Sequence, residues 1–197
     1  MMCRWRGAAY VANRPVGDRQ DVSYIIDLFN TYAFPNDERA VDSWTITGRS
    51  LGGHATWHVL AFEPRVKIGI SFSGAPDYQK LIIDHTKKDN RPLAPPFVPG
   101  SLMALLNRTN PAQLPFTSHN PKRNPFWGKK VLSCHCAADP VVPFEYSRDF
   151  LGQLVLGPTQ KASTNRSLEV FIQPACVHEI TPTSTLHTAE TAMLTPQ

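Results

Sequence analysis

The strongest candidate for a reactive residue in this chain is Ser50, a serine flanked by glycines in the run G-R-S-L-G-G. It lies between a short apolar stretch and a helical pattern over 51–62. A strand that turns abruptly into a helix strains its apex residue and projects that side chain outward. We expect Gly48, Gly52 and Gly53 to be required there because a Cβ would press on the facing backbone. Ser50 is therefore predicted to be a nucleophile for acyl transfer, the alternative being an ordinary helix cap.

Two later loops carry the residue types that activate a serine. Asp139 follows a predicted strand at 131–136, and His178 follows a predicted strand at 168–173. Because the carboxyl ends of parallel strands meet at one edge of a sheet, we expect both side chains to lie near Ser50. A histidine can accept the serine proton, and an acid on its other ring nitrogen fixes the tautomer. The alternatives are an Asp-Pro turn residue and a surface histidine. Weaker candidates for these roles are Asp149, His187, His135 and His119.

Three motifs in this order resemble the α/β-hydrolase superfamily: G-R-S-L-G-G-H, H-C-A-A-D-P-V-V-P and H-E-I-T. They are similar to fungal esterases and thioesterases, some of which accompany secondary-metabolite pathways. The resemblance covers about residue 17 to the C-terminus and implies a catalytic triad of Ser50, Asp139 and His178. It also implies that the backbone N–H of Leu51 is one oxyanion donor. The implied substrate is a small-molecule acyl ester or thioester, with neither a cofactor nor a metal ion.

The motif that contains Ser50 comes early for this superfamily, whose members usually have about four further strands before it. We therefore expect a partial α/β-hydrolase fold in which the N-terminal strands are missing and residues 1–14 are a remnant or an unrelated start. Such a truncation would leave one edge of the sheet unpaired. Cys136 and Cys176 also stand where glycine is frequent in these loops. The competing hypothesis is an inactive, truncated remnant that binds a ligand or partner, or a gene-model fragment.

The remaining pattern predicts an α/β fold with a mostly parallel sheet flanked by helices. Strands alternate with helices, which implies right-handed parallel crossovers. The predicted strands are 44–47, 66–72, 131–136 and 168–173, and the helices after them are 51–62, 143–156 and 179–194. A first helix is predicted over 17–34, where the spacing of five residues makes one apolar face: Val22, Ile25, Ile26, Phe29 and Tyr32.

A proline-rich segment interrupts this alternation. Nine of the 18 prolines fall between Pro76 and Trp127, which excludes a regular sheet there and indicates short helices joined by rigid turns. We predict a cap inserted over about 76–127 within a single domain, 1–197. Its helices should cover 77–84 and 101–107, capped by Asp77 and Ser101. Four aromatic residues of this segment either line an acyl pocket or anchor the cap: Phe97, Phe116, Phe126 and Trp127.

Composition excludes several other classes of protein. Of the 197 residues, 42% are apolar and 18% are charged, which predicts one ordinary core rather than disorder. The net charge of +4 is spread over scattered basic residues, so we expect no nucleic-acid partner. With no apolar run near the ~18 residues that span a bilayer and no signal-peptide core, the predicted location is cytoplasmic. The oligomeric state stays open.

Two sets of cysteine and histidine residues are possible metal sites. Four cysteines in 197 residues suit a reducing compartment better than a disulfide scaffold. His54 and His58 have a spacing that can bind metal, but we expect packing histidines with satisfied hydrogen bonds on a helix covered by the sheet. A second possible metal site, without the spacing typical of zinc knuckles, is the set Cys134, Cys136, Cys176 and His178. No metal site is predicted.

Overall fold

A computed structural model describes residues 8–158, 167–185 and 187, with side chains from residue 15 onward. The helices are α1 (Ala8–Ala33), α2 (Leu51–Phe62), α3 (Tyr78–Lys88), α4 (Gly100–Thr109) and α5 (Glu145–Gln153). The strands are β1 (Trp44–Arg49), β2 (Val66–Phe72), β3 (Lys130–Cys136) and β4 (Leu168–Gln173). One helical turn at 182–185 belongs to the predicted last helix, of which residue 186 and residues 188–194 lie outside the described range.

The four strands are parallel and lie in the order β1-β2-β3-β4. Their carboxyl ends are in register, because Arg49 pairs with Phe72 and Cys136 pairs with Gln173. β3 is buried along almost its whole length, as expected for an inner strand of a sheet covered on both faces. The predicted parallel α/β arrangement is confirmed, and the loops after β1, β3 and β4 leave the sheet at the same edge.

Helix α2 packs its apolar residues into the main core. Trp57 and Leu60 are fully buried, and the Trp57 ring meets Phe150 of α5 edge to face at 5.3 Å. Gly69 of β2 lets the helix approach closely, since a Cβ there would overlap the Leu60 side chain. Truncating a core tryptophan typically costs about 3–5 kcal/mol. This packing holds α2, and with it the turn at Ser50, rigidly against the sheet.

Helix α1 is longer than predicted and its apolar face is only partly covered. It spans Ala8–Ala33, so residues 8–14 continue a helix, while residues 1–7 of the predicted remnant lie outside the described range. Ile26 is buried against the core, but Ile25 and Tyr32 are 55% and 80% exposed. The predicted apolar face is therefore buried only in part. The apolar stripe is wider than the surface that α2 and β1 offer to it.

A charged cluster joins the elements at the amino edge of the sheet. The buried Glu63 carboxylate accepts hydrogen bonds from Arg65 Nε at 2.7 Å and from Ser23 Oγ of α1 at 2.8 Å. The Arg65 side chain lowers the pKa of Glu63 to about 2. The Lys129 ammonium donates to the carbonyl oxygens of Glu63, at 2.9 Å, and Val66, at 2.5 Å. These bonds connect α1, the end of α2 and the starts of β2 and β3, at the sheet edge away from Ser50.

The proline-rich segment forms α3, α4 and a 3-10 turn at Pro111–Gln113. Asp77 caps α3 by accepting a hydrogen bond from the Lys80 N–H at 3.1 Å, as predicted. The prediction for Ser101 is wrong, because α4 begins one residue earlier and Pro99 occupies its cap position.

Two aromatic residues of the proline-rich segment anchor it to the main core. Phe126 is fully buried, and the Phe116 ring lies 4.3 Å from that of Phe150. A smaller cluster joins α3, α4 and α5 and is formed by Ala75, Tyr78, Leu81, Leu102, Leu106, Val142 and Tyr146. That this segment is a cap over the site stays a prediction.

Candidate active site

The turn between β1 and α2 holds Ser50 in a strained conformation. Its φ of 54° and ψ of −114° are unfavourable for a residue with a Cβ. The Ser50 N–H donates to the Phe72 carbonyl oxygen at 2.8 Å, and the Ser50 carbonyl accepts from the His54 N–H at 2.9 Å. The sheet on one side and the helix on the other therefore fix the backbone of this residue. Strain of this kind persists where the surroundings over-determine the conformation, most often at functional sites.

The three glycines around Ser50 differ in what surrounds them. A Cβ on Gly48 would overlap the carbonyl of Gly52, and a Cβ on Gly53 would lie 2.7 Å from the Phe72 carbonyl oxygen. A Cβ on Gly52 would meet nothing within 4 Å. The expectation that all three glycines are sterically required is thus wrong for Gly52, because the space that its Cβ would take is open.

We expect Gly48→Ala to lower the free energy of unfolding by about 3 kcal/mol or more, since rigid backbone must shift to admit the methyl group. Gly52→Ala is the matched control at the other end of the same turn. It should leave stability unchanged or raise it by about 0.4–1 kcal/mol, because alanine restricts the unfolded chain. Urea denaturation of both variants measures the difference. Equal losses in the two variants would contradict this account of the turn.

The side chains of Ser50, His178 and Asp139 form a continuous hydrogen-bonded row. His178 Nε2 lies 2.8 Å from Ser50 Oγ, and His178 Nδ1 lies 2.7 Å from Asp139 Oδ2. These pairs are 128 and 39 residues apart in sequence. The fold thus brings together the three residues singled out from the sequence, in the geometry that serine activation requires.

Asp139 is held from both sides. Its Oδ1 accepts the N–H groups of Val141 and Val142, each at 2.9 Å, while Oδ2 faces the His178 ring. Burial on its own raises the pKa of Asp139, but these two backbone donors and His178 outweigh it and hold the pKa below its ordinary value. The carboxylate is therefore charged at neutral pH. The Asp-Pro turn and the contact with His178 are compatible, because each uses a different carboxylate oxygen.

The first N–H groups of α2 lie beside the serine. Leu51 is the first residue of this helix, and the helix N-terminus carries the positive end of the backbone dipole. An oxyanion formed on a carbonyl attacked by Ser50 would gain from such donors. The assignment of the Leu51 N–H as an oxyanion donor stays a prediction.

Two cross-links fasten the loop of His178, and neither was predicted from the sequence. Arg49, the residue before the serine, donates from Nη2 to the carbonyl oxygen of His178. Cys136 and Cys176 form a disulfide with their Cα atoms 4.9 Å apart. The expectation of reduced cysteines is therefore wrong for this pair, because neighbouring strands β3 and β4 bring the two residues together. The signal available in the sequence was a cysteine at the end of one predicted strand and another three residues after the next.

The two histidines of α2, His54 and His58, are buried. His54 Nδ1 accepts the Ala75 N–H at 2.9 Å, which ties the loop after β2 to α2, and burial lowers the pKa of His54 to about 4. His58 is buried and stacks on Phe62, and burial lowers its pKa to about 3. Both side chains pack in the interior as predicted, but only His54 has its hydrogen bond, since neither ring nitrogen of His58 has a partner among the described residues. No cluster of residues able to hold a metal ion is found in ranges 15–158 and 167–185.

The weaker candidates for the acid and base roles have other surroundings. His187 pairs with Glu169 of β4 at 2.6 Å, and its ring stacks on Phe171. His135 is buried within β3, where its Nε2 lies 2.8 Å from Ser133 Oγ. Asp149 is an exposed residue of α5, and His119 is exposed as well.

Comparisons with known proteins bear on the fold. No protein-family model and no curated protein sequence matches this chain. Among solved structures, SOBER1 from Arabidopsis thaliana has 16% identity and a TM-score of 0.51 over 91% of this chain and 63% of its own. Alpha/beta hydrolase domain-containing protein 10 from mouse has 18% identity and a TM-score of 0.52 over 89% and 66%. The acylaminoacyl peptidase of Pyrococcus horikoshii has 19% identity and a TM-score of 0.54 over 85% and 24%.

These similarities, together with the parallel sheet and its flanking helices, show that the chain has a partial α/β-hydrolase fold. The predicted fold class is confirmed. The chain spans 63% of SOBER1 and 66% of the mouse protein. Across the described part of the chain, no helix has the length and apolar character to cross a membrane.

Proposed function

We propose that this protein is a serine hydrolase that cleaves a carboxylic ester or thioester through an acyl-enzyme. The proposal is carried by the row of hydrogen bonds from Ser50 Oγ to His178, at 2.8 Å, and from His178 to Asp139, at 2.7 Å. The strained turn that presents the serine, and the α/β-hydrolase fold around it, support the same reaction class. Nucleophile, base and oxyanion donor are all groups of the protein, so this chemistry requires no cofactor.

In the first half of the reaction, Ser50 Oγ attacks the substrate carbonyl carbon while His178 Nε2 takes its proton. Asp139, charged at neutral pH, stabilises the imidazolium through Nδ1. The oxyanion is directed at the Leu51 N–H. The tetrahedral intermediate then collapses, and the departing alkoxide or thiolate takes the proton from His178 Nε2. An ester now joins the acyl group to Ser50.

In the second half, water attacks the acyl-enzyme. His178 Nε2 removes a proton from the water and returns it to Ser50 Oγ as the carboxylic acid leaves. The same donors stabilise both tetrahedral intermediates. The acyl-enzyme is therefore the species that a covalent inhibitor should imitate.

The finer parts of the proposal rest on the resemblance of the three motifs. They are a small to medium apolar acyl compound as substrate and a role in fungal secondary metabolism. The predicted cytoplasmic location rests on composition and cysteine usage instead, and the disulfide between Cys136 and Cys176 argues against it. The exposed edge at Ser50 suits an acyl compound that approaches from solvent, since His178 retains 20% of its side-chain exposure. Pocket shape rather than the triad decides which acyl group is accepted.

A fluorophosphonate probe tests the reaction class, because only an activated serine displaces its fluoride. We expect one adduct per folded molecule, located on Ser50 by mass spectrometry of the digested protein. Heat-denatured protein is the control and should not react. Absence of an adduct on protein that melts cooperatively would refute the proposed function.

A second candidate is a non-catalytic binding protein with the same fold, or a fragment of one. It is favoured by a row of exposed apolar side chains on α1, formed by Tyr24, Ile25, Leu28, Phe29 and Tyr32. β1, beside this helix, is an edge strand of the described sheet. An apolar surface of this kind commonly binds another polypeptide segment. Folded, monomeric protein that the fluorophosphonate does not label would favour this candidate.

A further inference from the structure

We propose that the disulfide between Cys136 and Cys176 is a positioning bond that holds His178 against Asp139. The proposal rests on the serine-hydrolase function proposed above. In this proposal the cysteine pair aligns the loop that carries Asp139, called the acid loop, with the loop that carries His178, called the base loop. The cysteines themselves do not contact the substrate.

The disulfide joins the two loops close to the residues that react. Cys136 is the last residue of β3, three positions before Asp139, and Cys176 lies two positions before His178. Their Cα atoms are 4.9 Å apart, within the range that a disulfide spans without backbone movement. Both residues are buried, with 3% exposure each. A covalent link therefore closes the gap between the acid and base loops at their exit from the sheet.

The sheet itself ends before the reactive residues. The last ladder pair of β3 and β4 is Cys136 with Gln173. Beyond it, the loop after β3 donates two backbone hydrogen bonds, from the Ala137 N–H to the Gln173 carbonyl oxygen at 2.9 Å and from the Ala138 N–H to the Cys176 carbonyl oxygen at 3.1 Å. His178 and Asp139 both lie past these bonds. Their alignment thus depends on loop contacts, of which the disulfide is the covalent one.

The backbone next to Cys176 also indicates a loop held under constraint. Ala175 has a φ of 55°, in the left-handed region that an alanine rarely adopts. Such a conformation persists when neighbouring contacts over-determine it. The disulfide at the next residue and the hydrogen bond from Arg49 to the His178 carbonyl are two such contacts. They bracket the segment that carries His178.

Loss of the disulfide should affect the chemical step more than substrate binding. A displacement of about 1 Å between reacting groups can lower a rate roughly 100-fold. Neither cysteine is proposed to touch the acyl group, so KM should change little. A KM unchanged alongside a reduced kcat is the signature of an interaction made in the transition state.

The test compares oxidised wild type with the double variant Cys136→Ala, Cys176→Ala. Cys134→Ala is the matched control, because Cys134 lies two residues earlier in β3 and outside the disulfide. We expect the double variant to lose tenfold or more in kcat for p-nitrophenyl butyrate and in fluorophosphonate labelling rate. KM should stay within twofold, and the control should match wild type. The low-field proton resonance of His178 Nδ1–H should weaken or broaden in the double variant alone.

Reduction of folded wild type by dithiothreitol gives an independent measurement. Each reaction breaks the S–S bond and forms two thiols, while the dithiol is oxidised to a cyclic disulfide. The same losses should appear, and reoxidation should reverse them. If the double variant does not fold, this comparison takes its place.

Several results would overturn the proposal. They are two free thiols at residues 136 and 176 in protein purified without reductant, equal kcat in the oxidised and reduced forms, or loss of the cooperative melt on reduction. The last would identify a bond needed for folding rather than for alignment. If oxidised wild type is not labelled at all, the proposed function fails. The His178 resonance then still decides the positioning role, since it reports the contact with Asp139 without substrate.

Discussion

Ser50→Ala is expected to lower kcat for an activated ester by about 10⁶-fold, the loss typical of removing the nucleophile from a Ser-His-Asp triad. Alanine removes Oγ, the atom that lies 2.8 Å from His178 Nε2, and no acyl-enzyme can then form. Stability should change little by comparison, because the backbone bonds from Ser50 to Phe72 and from His54 to Ser50 remain. Steady-state kinetics and a urea titration measure the two effects.

Ser101→Ala is the matched control, since Ser101 is an exposed serine of α4 with no contact to the candidate triad. It should retain full activity. Activity of Ser50→Ala within tenfold of wild type would mean that another group performs the reaction. In that case the hydrogen-bonded row would be structural only.

Asp139→Asn is expected to lower kcat by about 10⁴-fold with the fold intact. An amide in this place can donate to His178 Nδ1, which favours the tautomer whose Nε2 already carries a proton. That nitrogen can no longer accept the proton of Ser50. Kinetic measurements at pH 7 test this expectation, and Asp149→Asn, on the exposed face of α5, is the control that should leave kcat unchanged.

Asp139→Asn should also change how the free energy of unfolding depends on pH. The pKa of Asp139 is lower in the folded protein than its ordinary value. Its contribution to stability is therefore fully present above about pH 4 and is lost as the pH falls through the folded pKa. We expect urea midpoints of wild type and Asp139→Asn to differ most at neutral pH and to converge in acid. A difference that grows as the pH falls would contradict this assignment.

Local patterns allowed the elements to be predicted well where burial was uniform. The strands β2 and β3 and the helix α2 lie where apolar runs and turn residues indicated, because a parallel sheet covered on both faces demands such runs. Strand β4 was also predicted, although its Val170 and Ile172 are exposed. The first helix was predicted less well, in its start and in its burial. Its periodicity indicated an apolar face but not how much of that face its neighbours cover, and Ile25 and Tyr32 are exposed as a result.

At the candidate site, the sequence indicated which residues to examine but not what surrounds them. Gly48 and Gly52 are equivalent in the motif, yet only the first faces backbone that a methyl group would strike. Cysteine usage suggested reduced thiols, and the pairing of Cys136 with Cys176 overturned that expectation. In each case the deciding atoms belong to a segment distant in the chain or across a turn. Catalytic roles for the three aligned residues stay predictions that the experiments above decide.

The sequence by itself determined the alternation of strands and helices, the strained turn that carries Ser50, and the placement of Asp139 and His178 just after strands. These features depend on neighbours within a few positions along the chain. Only the tertiary structure decided that three side chains meet at 2.8 and 2.7 Å, and that a disulfide joins two of their loops. Such contacts follow from the order β1-β2-β3-β4, because adjacent parallel strands bring distant loops to one edge of the sheet.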